Sequence, residues 1–286
     1  MKQNNALQSA QILPKPFRLF IHGLNILSPF ITLKVLLLLI ERPIRFKTPN
    51  REYEIIKSSI HSRQFIPEIK KFIHIYHLPN KGPKIIMVHG WSGRGTQFHE
   101  LAKQCHKCGF DVLLFDAPAH GKSSSQSTIL PEFVSCILRL SSLFGPFDFA
   151  LGHSFGSAAI YNAVRTGVSF RKIISISAQY NLKSIFTDFV DSLHLPSTYV
   201  DKILNVYLSK YGLDFNDYNL PNFIQNINLP VLIIHCRDDN DVKFSAAGEF
   251  NFSLPNSQLV STNGLGHRRI LRDANVSNAI ISFLQT

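Results

Sequence analysis

From Phe72 onward the chain alternates short, continuously apolar runs with longer stretches of helical spacing, and this alternation restricts the fold more than any other feature. The runs are FIHIYHL, KIIMVHG, FDVLLFDA, FDFALGHS, KIISISA, VLIIHCRDD and QLVST, beginning at Phe72, Lys84, Phe110, Phe147, Lys172, Val231 and Gln258. Between most of them lie segments such as Leu130–Leu143 and Ser157–Arg165, whose apolar residues recur at helical intervals. A strand that is apolar along its whole length must be covered on both faces, and the intervening helices supply the cover. The pattern therefore predicts an α/β fold with a mostly parallel sheet and helices on both faces. The 286 residues suffice for one such domain with an insertion, and 45% apolar against 17% charged residues excludes wholesale disorder.

One interval breaks the rhythm. About fifty residues separate Ala178 from Val231, more than one crossover helix needs. They hold five of the eight tyrosines and four phenylalanines, and SIFTDFVDSL and STYVDKILNVYLSKYG within them have helical spacing. A helical cap insertion at about 179–229, lying over the sheet, is expected, and its aromatic residues suit an apolar binding pocket.

In an open α/β sheet, ligands bind beyond the carboxyl ends of the strands. The residues that follow each run therefore carry the functional reading. After FDFAL comes Gly152-His153-Ser154-Phe155-Gly156, which sets one serine between two glycines. Such a stretch is either an ordinary Gly/Ser turn or a sharp strand-to-helix turn that presents Ser154 as a nucleophile. After VLIIH come Asp238, Asp239 and Asp241, and after QLVST comes His267. A serine, an acid and a histidine thus fall at three strand ends. A serine hydroxyl needs a base to take its proton, which His267 can supply, while an aspartate orients the imidazole and stabilises its cation. The backbone N–H groups of Trp91, in the loop after KIIMV, and of Phe155 are the candidate donors to a developing oxyanion.

In this order and setting the chain resembles the α/β-hydrolase superfamily. More closely it is similar to a group of uncharacterised bacterial serine hydrolases with the motifs HGWxGRGxQF, FDAPGHGxS, GHSFG, IHDxxDxxVP and GLGHRRILRD, which here read His89–Phe98, Phe115–Ser123, Gly152–Gly156, Ile234–Lys243 and Gly264–Asp273. The likeness extends over about residues 25–286. It implies Ser154, Asp239 and His267 as catalytic residues and Trp91 and Phe155 as oxyanion positions. Matching the acid motif onto Asp239-Asn240-Asp241-Val242-Lys243 is what selects Asp239 among the three aspartates. Three positions depart from the pattern: Ala119 and Ser157 replace glycines, and Lys243 replaces a proline. By the same resemblance Asp116 and His120 belong to a structural turn. A serine nucleophile points to acyl transfer to water, so the expected function is hydrolysis of carboxylic esters of apolar acyl groups through an acyl-enzyme. A thioesterase, an acyltransferase or a catalytically silent binding protein on the same fold are the alternatives. No metal or organic cofactor is implied. Cys105 and Cys108 form a lone C-x-x-C with no further ligands at zinc spacing.

The net charge of +11 is unevenly placed, with fourteen Lys/Arg against four Asp/Glu in residues 1–84 and sixteen against fifteen in the rest. No zinc-finger, helix-turn-helix or aromatic nucleic-acid signature accompanies the basic part, so no nucleic-acid partner is expected and the partner is a small-molecule ester. Residues 1–71 are read as a basic N-terminal helical segment and 72–286 as the hydrolase domain. Within that segment Ser28-Pro29 reads as an N-cap and first-turn proline between two short helices. The second helix, ITLKVLLLLI, is apolar nearly all round and needs cover, either from the cap or sheet or from an anionic membrane surface. Four irregularly spaced cysteines and no signal-peptide pattern lead to the expectation of a cytoplasmic protein, peripheral to the membrane if that helix meets lipid.

Overall fold

A computed structural model describes residues 14–286. Eight strands form one sheet: β1 (Ile60–Ile66), β2 (Lys71–Leu78), β3 (Lys84–Val88), β4 (Asp111–Asp116), β5 (Phe149–His153), β6 (Lys172–Ile176), β7 (Val231–Cys236) and β8 (Ser257–Thr262). Their spatial order is β1-β2-β4-β3-β5-β6-β7-β8. The β1–β2 and β2–β4 pairs are antiparallel, and every pair from β4 to β8 is parallel.

The helices of the described residues are α1 (Lys15–Leu27), α2 (Pro29–Glu41), α3 (Tyr53–Ser58), α4 (His99–Lys107), α5 (Leu130–Phe144), α6 (Phe155–Arg165), α7 (Leu182–Ser192), α8 (Thr198–Tyr211), α9 (Phe215–Tyr218), α10 (Ser245–Ser253), α11 (Gly266–Arg269) and α12 (Ala274–Gln285). Two apolar cores follow from the two-residue period of the strands. Ile86 and Val88 of β3 face α5, α6 and α10 through Phe133, Ile160 and Phe250. Ile85 and Met87, one residue out of step, face α3, α4 and α12 through Ile55, Leu101 and Ile280. Burial on both faces is the reason these strands read as continuous apolar runs.

The sheet begins earlier than the alternation of apolar runs shows. β1 lies inside residues 1–71, the segment read from sequence as helical. It is an edge strand of largely exposed residues, IHSRQFI, and only Ile66 is buried. A strand that borders solvent carries no apolar run, so its period is invisible until it is paired with β2.

α1 and α2 do form, with the Ser28 hydroxyl accepting the Ile31 N–H at 3.3 Å. One side of the pair packs on the insertion. Ile21 and Leu36 are fully buried in a third core with Phe186 and Val190 of α7 and Tyr199, Ile203 and Tyr207 of α8. Polar contacts close the seam: the Tyr211 hydroxyl donates to Glu41 at 3.0 Å, and that of Tyr199 donates to Asn25. The insertion and the N-terminal helices are therefore one packed body above the sheet.

Candidate active site

Ser154 sits at the turn between β5 and α6 with φ 54° and ψ −121°, a left-handed conformation that a non-glycine residue adopts only under constraint. The flanking glycines explain how the turn is built. A Cβ on Gly152 would lie 2.5 Å from the Cα of Ser157, and one on Gly156 would lie 2.1 Å from the carbonyl oxygen of Val88. Helix α6 therefore starts in direct contact with the end of β3, and the Ser154 amide is fixed by a 2.8 Å bond to the carbonyl of Ile176. Ser157, which the resemblance marked as a departure, is fully buried against Gly152.

The parallel register pairs Val88 with Gly152, which brings the loop after β3 beside the serine. That loop is held by neutral histidines. His89 accepts the Ala117 N–H at 2.9 Å, and His120 accepts the Ser92 N–H at 3.0 Å. Burial pushes both imidazoles below their usual range, His120 to about 4. Asp116 lies at the base of the same turn and receives the amides of Gly95 and Lys122 at 2.8 and 2.7 Å. Trp91 packs edge-on against Phe155, with ring centroids 5.4 Å apart. Among the described residues, neither the Trp91 nor the Phe155 amide has a backbone acceptor.

Three aspartates follow β7, of which the resemblance selected Asp239, and the structure gives each a different partner. Asp239 Oδ2 accepts from His267 Nδ1 at 2.8 Å, while its Oδ1 accepts the amides of Asp241 and Val242, each at 2.9 Å. Burial raises this carboxyl. The hydrogen bond and charge of His267 and the two amides outweigh that effect and hold it at about 2. Asp238 turns away to accept the Gly264 N–H at 2.6 Å, and Asp241 stands 3.8 Å from Arg268.

Two features were not singled out in the sequence. His153, inside the serine motif, is buried beneath His267, with ring centroids 4.6 Å apart. Its Nε2 donates to the His267 carbonyl at 2.9 Å and its Nδ1 accepts from Gln97 at 3.3 Å. Burial, then the charge of His267, pushes its pKa down to about 3. It is a fixed neutral support, distinct from His267, whose Nδ1 is bonded to Asp239. Its only signal in the sequence is its place beside Ser154. The second feature is Glu52. Its buried carboxylate accepts Arg94 Nε at 2.6 Å, Arg94 Nη2 at 3.2 Å and the Thr96 hydroxyl at 2.7 Å. The Ser92 hydroxyl accepts the Ile44 N–H at 3.0 Å, and Arg45 donates to the carbonyls of Ala119, Ser123 and Ser125. The segment after α2 is thus laced to the loops that surround Ser154.

Ser154, Phe155, Trp91, His153 and His267 all line one cavity of about 560 Å³. Its roof is apolar and comes from the insertion and α2, including Leu39, Ile185, Phe186, Phe189 and Phe215. Three strand ends and two loops, far apart in sequence, meet here. A family model described as alpha/beta hydrolase fold matches residues 83–208. The chain has the α/β-hydrolase fold. Among solved structures with this fold, an esterase from Exiguobacterium antarcticum superimposes with a TM-score of 0.63 at 16% identity, covering 79% of this chain and 100% of its own. An esterase of Pyrococcus furiosus gives a TM-score of 0.63 at 18% identity, covering 86% of this chain and 97% of its own. A bromoperoxidase from Bacillus anthracis gives 0.60 at 16% identity, covering 79% and 100%. No curated protein matches. Esterases and a bromoperoxidase superimpose nearly equally well, so the α/β-hydrolase fold alone names no reaction, and the chemistry has to be argued from the site.

Proposed function

We propose that the chain is a serine hydrolase that cleaves carboxylic esters of apolar acyl groups, with Ser154 as nucleophile, His267 as general base and acid, and Asp239 as its orienting partner. The observation that carries this reading is the 2.8 Å bond from His267 Nδ1 to Asp239 at the wall of the cavity that Ser154 also lines. With Nδ1–H committed to the carboxylate, Nε2 is the unprotonated nitrogen, the tautomer a base requires. As Ser154 Oγ attacks the ester carbonyl, its proton passes to Nε2. The carbonyl oxygen becomes an oxyanion, for which the amides of Trp91 and Phe155 are the donors. The intermediate collapses, the alcohol leaves with the proton from Nε2, and the acyl group remains on Ser154. Water then repeats the sequence, giving its proton to Nε2 and releasing the acid. The aromatic and aliphatic roof favours an apolar acyl chain. A thioester would pass through the same steps, and an acyltransferase differs only in the acceptor that replaces water.

The test is covalent labelling by a fluorophosphonate, combined with hydrolysis of p-nitrophenyl esters of increasing chain length. Labelling of the parent protein, its absence in Ser154→Ala, and a loss of several orders of magnitude in kcat for Ser154→Ala and His267→Ala are expected. The double change should cost little more than either single one, because these groups act as a unit. Undiminished hydrolysis by folded Ser154→Ala overturns the assignment of the nucleophile, and a parent protein that neither labels nor hydrolyses any ester leaves a binding protein on this fold.

A further inference from the structure

The cavity beside Ser154 has a cationic side as well as an apolar roof. Arg42, Lys47 and Arg51, from the segment after α2, and Arg272, from the turn after His267, all line it. Other cations nearby are engaged: Arg94 pairs with Glu52, Arg45 holds three carbonyls, and Arg268 stands 3.8 Å from Asp241. Among the described residues, none of Arg42, Lys47, Arg51 and Arg272 has a carboxylate within ion-pair distance. The lining acids do not balance them, since Glu52 is committed to Arg94 and Thr96, and only Asp188 and Asp241 remain. Arg272 holds its proton less tightly than usual, first through burial and then through the charges of Arg51 and Arg269. All four are exposed and so stand at the cavity mouth, where water and salt weaken their mutual repulsion and an anion bound among them offsets it further.

We propose that the substrate carries a phosphate on the half that leaves, held by Arg51 and Arg272 with Arg42 and Lys47 beside them, while its acyl chain lies under the apolar roof. The proposal rests on the hydrolase reading above. Guanidinium groups match phosphate oxygens in paired hydrogen bonds, and a group of charge near −2 answers several cations where a carboxylate answers one. The phosphate belongs either to an acylated glycerol phosphate or to a phosphorylated carrier thiol.

Two matched pairs separate these sources: a 1-acylglycerol 3-phosphate against the same 1-acylglycerol, and an acyl-coenzyme A against the acyl N-acetylcysteamine thioester. At low ionic strength at least one phosphorylated partner should show a kcat/KM tenfold or more above its neutral counterpart, and the ratio should shrink in salt. The double change Arg51→Gln/Arg272→Gln should collapse that ratio, and Arg51→Lys/Arg272→Lys should restore part of it. Calorimetry on Ser154→Ala reads the same preference without turnover, as tighter binding of the phosphorylated ester. Ratios near one in both pairs, or a ratio that survives the double Gln change, overturn the proposal. Turnover of neutral esters without phosphate preference removes the anion site and leaves the hydrolase. Phosphate-dependent binding without turnover of any ester does the reverse.

A different observation points to where the protein works. The outer face of α1 and α2 exposes Leu19, Phe20, Ile26, Leu27, Phe30 and Ile31, with Ile26 and Leu27 each 83% exposed at the turn between the helices. Lys15 and Lys34 flank this face, and the one carboxylate of the two helices, Glu41, is buried and bonded to Tyr211. No helix among the described residues is long and apolar enough to cross a membrane. We infer that this face seats on the surface of an anionic bilayer. Apolar side chains enter the interface and the lysines meet the headgroups, with no exposed acid on α1 or α2 to oppose them. The protein should sediment with vesicles of phosphatidylglycerol and phosphatidylcholine, less with phosphatidylcholine alone, and less in salt. Ile26→Glu/Leu27→Glu should abolish the sedimentation while the thermal melt stays unchanged, because neither side chain is packed. No sedimentation at low salt, or sedimentation that survives the double change, overturns the inference. A dimer in solution that the same change splits also overturns it and assigns the face to a second copy.

Discussion

The ion pair between Glu52 and Arg94 ties the N-terminal segment to the loop that carries Trp91, and Glu52→Ala tests how much depends on it. Glu52 is 2% exposed and the Arg94 side chain 13%. Removing the carboxylate strands a guanidinium that keeps one protein acceptor, the Phe46 carbonyl at 3.1 Å, and also frees the buried Thr96 hydroxyl. Breaking a buried pair from one side costs about 3–5 kcal/mol, because the surviving charge is left desolvated. With an unfolding entropy of about 2 cal/mol/K per residue, that lowers Tm by about 5–8 °C for a chain of this length. Removing both charges is different. Glu52→Leu/Arg94→Met replaces the pair by apolar groups of similar length, and most of the loss should be regained, since a buried pair often gains little net stability over a hydrophobic one. Thermal melts and urea midpoints of Glu52→Leu, Arg94→Met and the double variant give the coupling directly. kcat on a p-nitrophenyl ester should fall in Glu52→Ala, since Arg94 lies three residues from Trp91. A loss below about 1 kcal/mol in Glu52→Ala, or a double variant as unstable as the sum of the singles, refutes the reasoning.

Asp239→Asn should lose on the order of 10³–10⁴ in kcat by favouring the wrong imidazole tautomer, whereas Asp238→Asn and Asp241→Asn should stay within about tenfold of the parent; steady-state kinetics on one ester compares all three. Because the Asp239 carboxyl is held at about 2 when folded and titrates near ~3.9 when unfolded, it contributes stability above about pH 4. That contribution, on the order of 2 kcal/mol, is lost as pH falls towards 2, and the urea midpoint of Asp239→Asn should lack it. Gly156→Ala would set a Cβ 2.1 Å from the Val88 carbonyl oxygen and 2.6 Å from that of His89, so α6 must move off β3; activity should drop sharply and Tm should fall, and an unaffected variant would contradict the packing described. His153→Leu leaves the His267 carbonyl without its 2.9 Å donor, a cost of about 1–3 kcal/mol in urea unfolding for a buried acceptor, with kcat falling more than KM rises because the loop that carries His267 loosens.

The amino-acid sequence by itself determined β3 to β7, the strands buried on both faces, because full burial writes a continuous apolar run, while β2 and β8, only partly buried, were read from the mixed runs FIHIYHL and QLVST. It also determined the serine turn, since only glycines at 152 and 156 permit the contacts that α6 makes with β3 and with Ser157. The two N-terminal helices were legible through the Ser28-Pro29 cap. Tertiary structure alone decided the rest. β1 has no apolar period because it borders solvent, so only pairing reveals it. Three neighbouring aspartates are chemically alike, and only the path of the loop brings Asp239, rather than Asp238 or Asp241, to His267. His153 and His267 are the same residue type, and burial separates the neutral support from the group bonded to Asp239. The packing of α2 on α8 turns a run that is apolar on all sides into one buried face and one exposed face. The same packing brings Arg42 and Arg51 to the cavity lined by Ser154, about a hundred residues further along the chain. Local periodicity records what each residue is buried against on average, and long-range pairing decides which residues meet.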